Sequence, residues 1–350
     1  MISLRARPLW LPLSEPVRIA RGRQTAAELV EVELAWNGLV GIGEGAPTGR
    51  YGESAATALR WLEEAAPLLG DDPDDLALWK RLPVGQQAAR AALDAALHDL
   101  SAKKRGRRLR DLLGLPVESP PTSRTISLAD PDEMARAAEQ AARGFSRLKL
   151  KLGGQDGLDV ARVRAVQAAV EIPLQVDVNE AWSFDEARDV LPQLNVDLVE
   201  QPLRAGDPEG PKLKEASPVP VFVDEDCSVA EDVPQCVPRA HGVVVKLAKS
   251  GGIREALRTI EAARDAGLQT MIGCMAESTL GIVAASHVAG VCDFVDLDGN
   301  LFVDNDPWRL DPDAPGLGVV PRRLGRRERG RQVFVQVYRR ARLVARERLR

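Results

Sequence analysis

RLKLKLGG, residues 147–154, decides how this chain is read. Lys149 and Lys151 alternate with Leu148, Leu150 and Leu152, and two glycines close the run. Apolar residues at every second position, ended by glycine, read as a buried strand. Residues two apart on a strand point to the same side. Two lysines therefore share one face of a buried strand, and an unpartnered buried ammonium is costly. Carboxylates must lie near them.

The same texture continues outward. Short β-rich runs alternate with Ala-rich helical stretches over residues 122–128, 147–152, 173–178, 196–200, 220–225, 242–247, 268–274 and 293–298. Eight βα-like units of this length read as a barrel of parallel strands. A doubly wound open sheet is the alternative, but no GxGxxG follows the first strand. Upstream, the first 45 residues read as antiparallel strands, with Asn37-Gly38 as a hairpin turn. Helical spacing covers 54–69 and 85–104, and LGLPVESPPTS (114–123) reads as a linker. The expected division is an α+β unit over 1–118, a barrel over 119–310 and a C-terminal segment over 311–350.

Charged residues recur at the strand ends. Lys151 to Asp177 is 26 residues, Asp177 to Glu200 is 23, Glu200 to Asp224 is 24, and Asp224 to Lys246 is 22. Lys246 to Asp296 is 50, two units of 25. Any one of VDVNE, VEQP or VDED alone is an ordinary loop start or helix cap. Their agreement with one βα period is hard to reach by accident. In a barrel these ends converge on one mouth, where active sites of that architecture lie.

Three carboxylates, Asp177, Glu200 and Asp224, with no His or Cys beside them suit Mg²⁺ or Mn²⁺ rather than zinc. Without a cation they would repel one another. A substrate carboxylate bound to such a cation has its neighbouring C–H acidified, because the enolate is stabilised. Lys151 and Lys246, on opposite sides of the mouth, can take a proton from one face of that carbon and return one to the other. This requires a lysine pKa lowered toward the working pH, which burial and Lys149 would supply. The alternative role for Lys149 is contact with the bound carboxylate. Lys249, one helical turn beyond Lys246, reads as solvated.

Composition excludes little but is consistent. The net charge is −4 over 350 residues, which gives no sign of nucleic-acid binding, and no apolar run reaches membrane-spanning length. MISLRARPLWLPL lacks the apolar core and cleavage site of a signal peptide. Four cysteines show no CxxC spacing, so a reduced cytoplasmic setting is expected. Three histidines argue against a His-based metal site or a Ser-His-Asp triad.

The set LKLKLGG, DVNEAW, VEQPL, VDED and VKLAKSGG resembles the muconate lactonizing enzyme subgroup of the enolase superfamily. The resemblance covers roughly residues 10–305, including GEGAPTGRYGES and ALDAALHDLSAKKRG in the N-terminal part. It implies a (β/α)7β barrel under an α+β cap. It implies Asp177, Glu200 and Asp224 as ligands of one Mg²⁺, Lys151 and Lys246 as the acid/base pair, and Asn179 and Glu225 as residues that orient the ligands. A small-molecule substrate and a homo-oligomer are expected, with no nucleic-acid or membrane partner.

Within the subgroup, Asp296 and Asp298 in DFVDLDG discriminate. They share a face at the end of the eighth strand. Dipeptide epimerases of this family carry a DxD here that holds the free α-ammonium of the dipeptide. N-succinyl or muconate-type substrates lack that cation and would be repelled. The alternative is that Asp296 or Asp298 caps the following turn, DG being a common turn pair. Arg21 and Arg23, in RIARGRQT, are candidates to pair with a carboxylate side chain, or form a solvated hairpin tip. With RYGES and DLDG they resemble epimerases acting on L-Ala-D/L-Glu. N-acylamino acid racemisation, o-succinylbenzoate synthesis and cycloisomerisation are the competing reactions. A non-catalytic barrel is disfavoured because both lysines and all three carboxylates are present. Glu277 adds a carboxylate near the mouth with no derivable role. Residues 321–350 contain twelve Arg and no Lys or Asp, and read as a shifted frame or an extension to which no function is assigned.

Overall fold

The computed structural model describes residues 1–322. An antiparallel sheet of β1 (Ser3–Ile19), β2 (Gly22–Trp36) and β3 (Leu39–Gly45) opens the chain. The Asn37-Gly38 turn has positive φ at both residues (47° and 82°), the geometry that Asn-Gly adopts without strain. α1 (Ala55–Ala65), α2 (Leu78–Arg81), α3 (Gln87–Lys104) and α4 (Leu109–Leu113) follow. Val30, Val32 and Leu34 on one face of β2 pack with Trp61, Leu62, Leu93 and Leu100 of α1 and α3. Gly41, Gly43 and Gly45 face α3 so closely that a Cβ on each would strike the carbonyls of Ala96, Ala92 and Ala88. The GIGEG run is thus what lets an 18-residue, Ala-rich helix lie directly on β3.

The second sheet holds eight strands in sequential order: β4 (Arg124–Ile126), β5 (Leu148–Lys151), β6 (Leu174–Asp177), β7 (Val199–Glu200), β8 (Val221–Val223), β9 (Gly242–Lys246), β10 (Gln269–Gly273) and β11 (Phe294–Asp296). All seven ladders are parallel. A further parallel bridge from Thr122 to Val295 joins the first strand's approach to the last strand and brings the ring to near closure. Each strand falls inside a stretch expected from the sequence, trimmed at its ends. Helices α5 (Pro131–Ala141), α6 (Asp159–Ala169), α7 (Phe184–Val190), α8 (Gly210–Ala216), α9 (Val233–Cys236), α10 (Leu247–Ser250), α11 (Ile253–Asp265) and α12 (Thr279–Ser286) connect and follow them. A short pair, β12 (Trp308–Leu310) and β13 (Val319–Pro321), ends the described chain.

Strand alternation sets the barrel interior in layers. Leu198, Phe222, Val244 and Met271 form one buried apolar cluster with Phe294 against it, and the Phe222 and Phe294 rings meet edge-on at 5.5 Å. Two residues further along each of these strands come Glu200, Asp224, Lys246, Gly273 and Asp296. The apolar layer is therefore a floor, and the charged residues stand on it. Over the mouth, Leu9, Leu11, Leu13 and Leu29 of the first sheet pack with Ala248 and Phe302. A buried Arg7–Glu31 pair, joined by Trp308 Nε1 at 3.3 Å, fastens the same sheet to the barrel side. No described helix is long and apolar enough to cross a membrane. The Arg-rich segment from residue 323 onward lies outside the described residues.

Candidate active site

Ladder register brings the charged residues level. Lys151 pairs with Asp177 and Asp177 with Glu200 across β5, β6 and β7. Lys246 pairs with Gly273 and Gly273 with Asp296 across β9, β10 and β11. In an eight-strand ring, β5 and β9 are four places apart, so Lys151 and Lys246 stand on opposite walls. Gly273 leaves room for one of them: a Cβ there would lie 3.1 Å from Lys246 Cε. Gly153, at the end of RLKLKLGG, turns the chain out of β5 with φ 83°, where a Cβ would press on Ala181.

Lys149 lies one layer deeper and is 1% exposed. Its Nζ is 2.7 Å from Glu200, 2.8 Å from Asp296 and 3.1 Å from Asp177. Lys151 reaches Asp177 at 2.5 Å and Asn179 Oδ1 at 3.4 Å. Lys246 reaches Asp224 at 2.7 Å. The two lysines of RLKLKLGG thus meet a ring of carboxylates, as their burial requires. Lys249 is corrected: it is 2% exposed and donates to the Asp224 carboxylate at 2.6 Å and to the backbone oxygens of Asp224 and Val244. Placed three residues after Lys246 on α10, it turns back into the barrel instead of out to water.

With the neighbouring acids not neutralised by a cation, Lys246 and Lys149 run opposite to the expected lowering. Burial pulls Lys246 down, but Asp224 and Glu200 outweigh it and hold its pKa well above the ordinary value. Burial likewise pulls Lys149 down, but Asp296, Glu200 and Asp177 override it and raise its pKa well above the ordinary value. Among the acids, burial works against Asp177 and Asp224, yet the adjacent lysines keep both well below the usual carboxylate range. Glu200 goes the other way, pushed up to about 8 by burial and by Asp177. Neither of its buried carboxylate oxygens has a hydrogen-bond partner. A fully buried carboxylate between two others, paired with Lys149 at 2.7 Å but without a well-directed hydrogen bond, fits a hard divalent cation as a further partner. Among the described residues no three such side chains already converge as a metal cage; the lysine ammoniums occupy the space between them.

Sequence reasoning overlooked the residue that aims two of the acids. Gln201, 1% exposed and at φ 39°, accepts the backbone N–H of Asp224 (2.8 Å) and Glu225 (3.0 Å) on Oε1. Its Nε2 donates to Leu203 O and to Asp226. The VEQP motif carried that signal, since a Gln directly after a strand-end Glu is well placed to bridge to the next strand. Asn179 donates its backbone N–H to Asp177 Oδ1 at 3.0 Å. Glu225 is raised to about 7 by burial and Asp224, and pairs with Arg21 at 2.7 Å.

Asp296 and Asp298 both face the mouth and are nearly fully buried. Asp298 begins the turn at Gly299, but its side chain makes no cap hydrogen bond. It accepts instead from Thr125 N (2.7 Å), Thr125 Oγ1 (3.2 Å) and Arg124 Nη1 (3.3 Å) on the first barrel strand. Burial and Asp296 raise it to about 6. Both aspartates thus already have a protein cation, Lys149 for one and Arg124 for the other. One acceptor remains: Asp296 Oδ1 is buried without a partner.

The two hairpin arginines part company. Arg21 reaches Glu180 (2.8 Å), Glu225 (2.7 Å) and the Asn179 carbonyl (3.2 Å). Arg50 joins it on Glu180 at 2.7 Å, so two loops of the first sheet grip one residue of the barrel. Arg23 is exposed at the hairpin tip, opposite Arg18 in the ladder. Glu277 is buried, accepts Met275 N and lies beside Glu44. A cavity of about 380 Å³ lies between the sheet and the barrel mouth, within the range of small-molecule sites. Arg21, Lys149, Lys151, Lys246, Asp296 and Asp298 line it, and Arg23 does not.

This combination defines a class: an α+β cap closed over a parallel barrel whose strand ends carry opposed lysines and buried acids. Residues 1–114 match the mandelate racemase/muconate lactonizing enzyme N-terminal domain, and 133–324 match the enolase C-terminal domain-like family. The chain belongs to that family. It is 38% identical to the L-Ala-D/L-amino acid epimerase of Pedosphaera parvula, over 93% of this chain and 98% of that one. It is 38% identical to the L-Ala-D/L-Glu epimerase of Escherichia coli, over 85% and 93%. Its fold matches the Enterococcus faecalis dipeptide epimerase, solved with Mg and L-Leu-L-Tyr, with a TM-score of 0.86 and 32% identity over 91% of this chain and 98% of that one.

Proposed function

We propose that this protein is a Mg²⁺-dependent dipeptide epimerase that inverts the α-carbon of the C-terminal residue, with L-Ala-D/L-Glu as its preferred substrate. One observation carries this: two lysines on strands four places apart in the ring line the same cavity, with buried Asp177, Glu200 and Asp224 at the strand ends between them. Asp177, Glu200 and Asp224 would hold the cation, which supplies positive charge where the substrate's carboxylate becomes more negative as its α-proton leaves. Lys151 and Lys246 take the proton from one face and return one to the other. Gln201, Asn179 and Glu225 keep the acids aimed. Asp296, through its free Oδ1, and Asp298 receive the substrate ammonium. Residues 1–118 act as the cap and 119–310 as the catalytic barrel, in a cytoplasmic homo-oligomer.

A second reading concerns the side chain at the inverted centre. Arg21 is already neutralised by Glu180 and Glu225, and Trp10, Val17, Ile19 and Phe302 also line the cavity. These favour an apolar side chain such as that in the Enterococcus complex. Chiral chromatography of a dipeptide library, with Mg²⁺ and with EDTA, separates the two. Mg²⁺-dependent turnover of Ala-Glu above Ala-Leu or Leu-Tyr supports the first reading, and the reverse order supports the second. Turnover of N-succinylamino acids alone would remove both.

A further inference from the structure

A second cavity, of about 610 Å³, lies where the cap helix α3 meets the barrel helices α10 and α11. Four polar atoms from its wall are buried without hydrogen-bond partners: Gln87 Oε1, Asp94 Oδ1, Ser250 Oγ and Arg254 Nη1. Asp94 and Ser250 are 1% and 2% exposed. Buried polar groups are almost always satisfied, so four orphans around one space call for a ligand.

Their chemistry says which kind. Arg254 Nη1 is a donor that carries positive charge, and Ser250 Oγ is a second donor four residues before it. Arg90 and Arg254 both lie over the Trp79 ring, 5.6 and 5.5 Å from its centre. Arg258 is neutralised by Glu231 and Glu255, which leaves Lys80, Arg90 and Arg254 on the wall as cations for an anion. Asp94 Oδ1 and Gln87 Oε1 are acceptors. A simple anion would satisfy the first set and be repelled by Asp94. A molecule with a carboxylate at one end and an ammonium at the other satisfies both.

We propose that this cavity binds a small zwitterion, an amino acid or short peptide, with its carboxylate on Arg254 and Ser250 and its ammonium on Asp94 and Gln87. Asp94 is held in place for this. Its other oxygen takes the N–H of Ile253 at 2.6 Å and of Arg254 at 3.3 Å, and faces His98 Nδ1 at 3.3 Å. Gly251 and Gly252 allow the approach: a Cβ on the first would lie 2.6 Å from Gln87 Oε1, and one on the second would strike Asp94. The site is separate from the proposed active site, although α10 carries Ser250 to this cavity and Lys249 to the Asp224 carboxylate.

The test uses the full chain, as wild type, Arg254→Ala and Ser250→Ala. Crystals are soaked in L-alanine, acetate or inorganic phosphate, and L-alanine affinity is read by calorimetry. L-Alanine is expected in this cavity, with acetate and phosphate at least about tenfold weaker and Arg254→Ala weakened by a similar factor. Ser250→Ala is expected to bind about threefold more weakly or worse. Its unliganded stability should be unchanged, because Ser250 Oγ has no protein partner to lose; this keeps the test intact if Arg254→Ala misfolds. Water alone in the cavity, or equal L-alanine affinity in wild type and both variants, would overturn the site. Phosphate or acetate binding as tightly as alanine would overturn the zwitterion assignment.

Discussion

Replacing Lys149 by Met removes one ammonium and nearly preserves the side-chain volume. In the folded protein that ammonium serves Glu200, Asp296 and Asp177 at 2.7, 2.8 and 3.1 Å. Asp177 would keep Lys151, but Glu200's other cation, Lys246, is 4.0 Å away, and Asp296 has no further ion pair among the described residues. Deleting one partner of a buried pair costs about 3–5 kcal/mol because the remaining charge is left uncompensated. For a chain of this size the urea dependence exceeds about 3 kcal/mol per M, so the midpoint should fall by roughly 1 M. The assay is tryptophan fluorescence in urea, with EDTA, at pH 8. At pH 5 the loss should be smaller, since the stranded acids can take up protons. Saturating Mg²⁺ should narrow the gap by restoring charge. A midpoint shift below about 0.3 M at pH 8 in EDTA would refute the electrostatic argument.

Three other outcomes follow from named contacts. Gly43→Ala drives a methyl group into the Ala92 carbonyl and should cost about 2 kcal/mol or more, measured by thermal unfolding. Burial pushes Glu44 up to about 8 from an ordinary 4.5, against the hydrogen bonds from Ser278. The folded state then holds a proton that the unfolded chain releases earlier, so stability is full below pH 4.5 and falls toward pH 8, by up to about 1.4 kcal/mol per pH unit. Glu44→Gln should flatten that slope in unfolding curves taken from pH 5 to 9. Arg21→Met should reduce kcat/KM on Ala-Glu by about tenfold or more while sparing Ala-Leu; equal losses on both would mean that Arg21 only ties Glu180 and Glu225 together.

The barrel was legible because its signal is periodic. From β5 onward each strand ends in, or is followed at once by, an inward charge or a glycine, and charges at 22–26-residue intervals match the length of one βα unit. Asn37-Gly38 was equally open to reading, since those residue types fit its backbone, whereas the need for Gly41, Gly43 and Gly45 appears only once α3 lies against β3. Lys249 was misread because one-dimensional spacing does not say which way a four-residue helix faces. Lys246 and Lys149 depart from the expected lowering because burial was weighed without the distances to the acids, whose negative charges outweigh it. Gln201, Arg124 and Glu180 escaped notice because their partners lie on other strands or on the cap, and only the fold brings them together.

The central claim is that two lysines serve opposite faces of one carbon. Hydrogen exchange in D₂O with Mg²⁺ tests it most directly, using L-Ala-L-Glu and L-Ala-D-Glu separately and reading deuterium at the C-terminal α-carbon by mass spectrometry. Wild type should label both isomers. Lys151→Ala should still label one isomer, and Lys246→Ala only the other. Retention of both exchanges in either variant, or the absence of α-carbon exchange in wild type, would contradict the assignment.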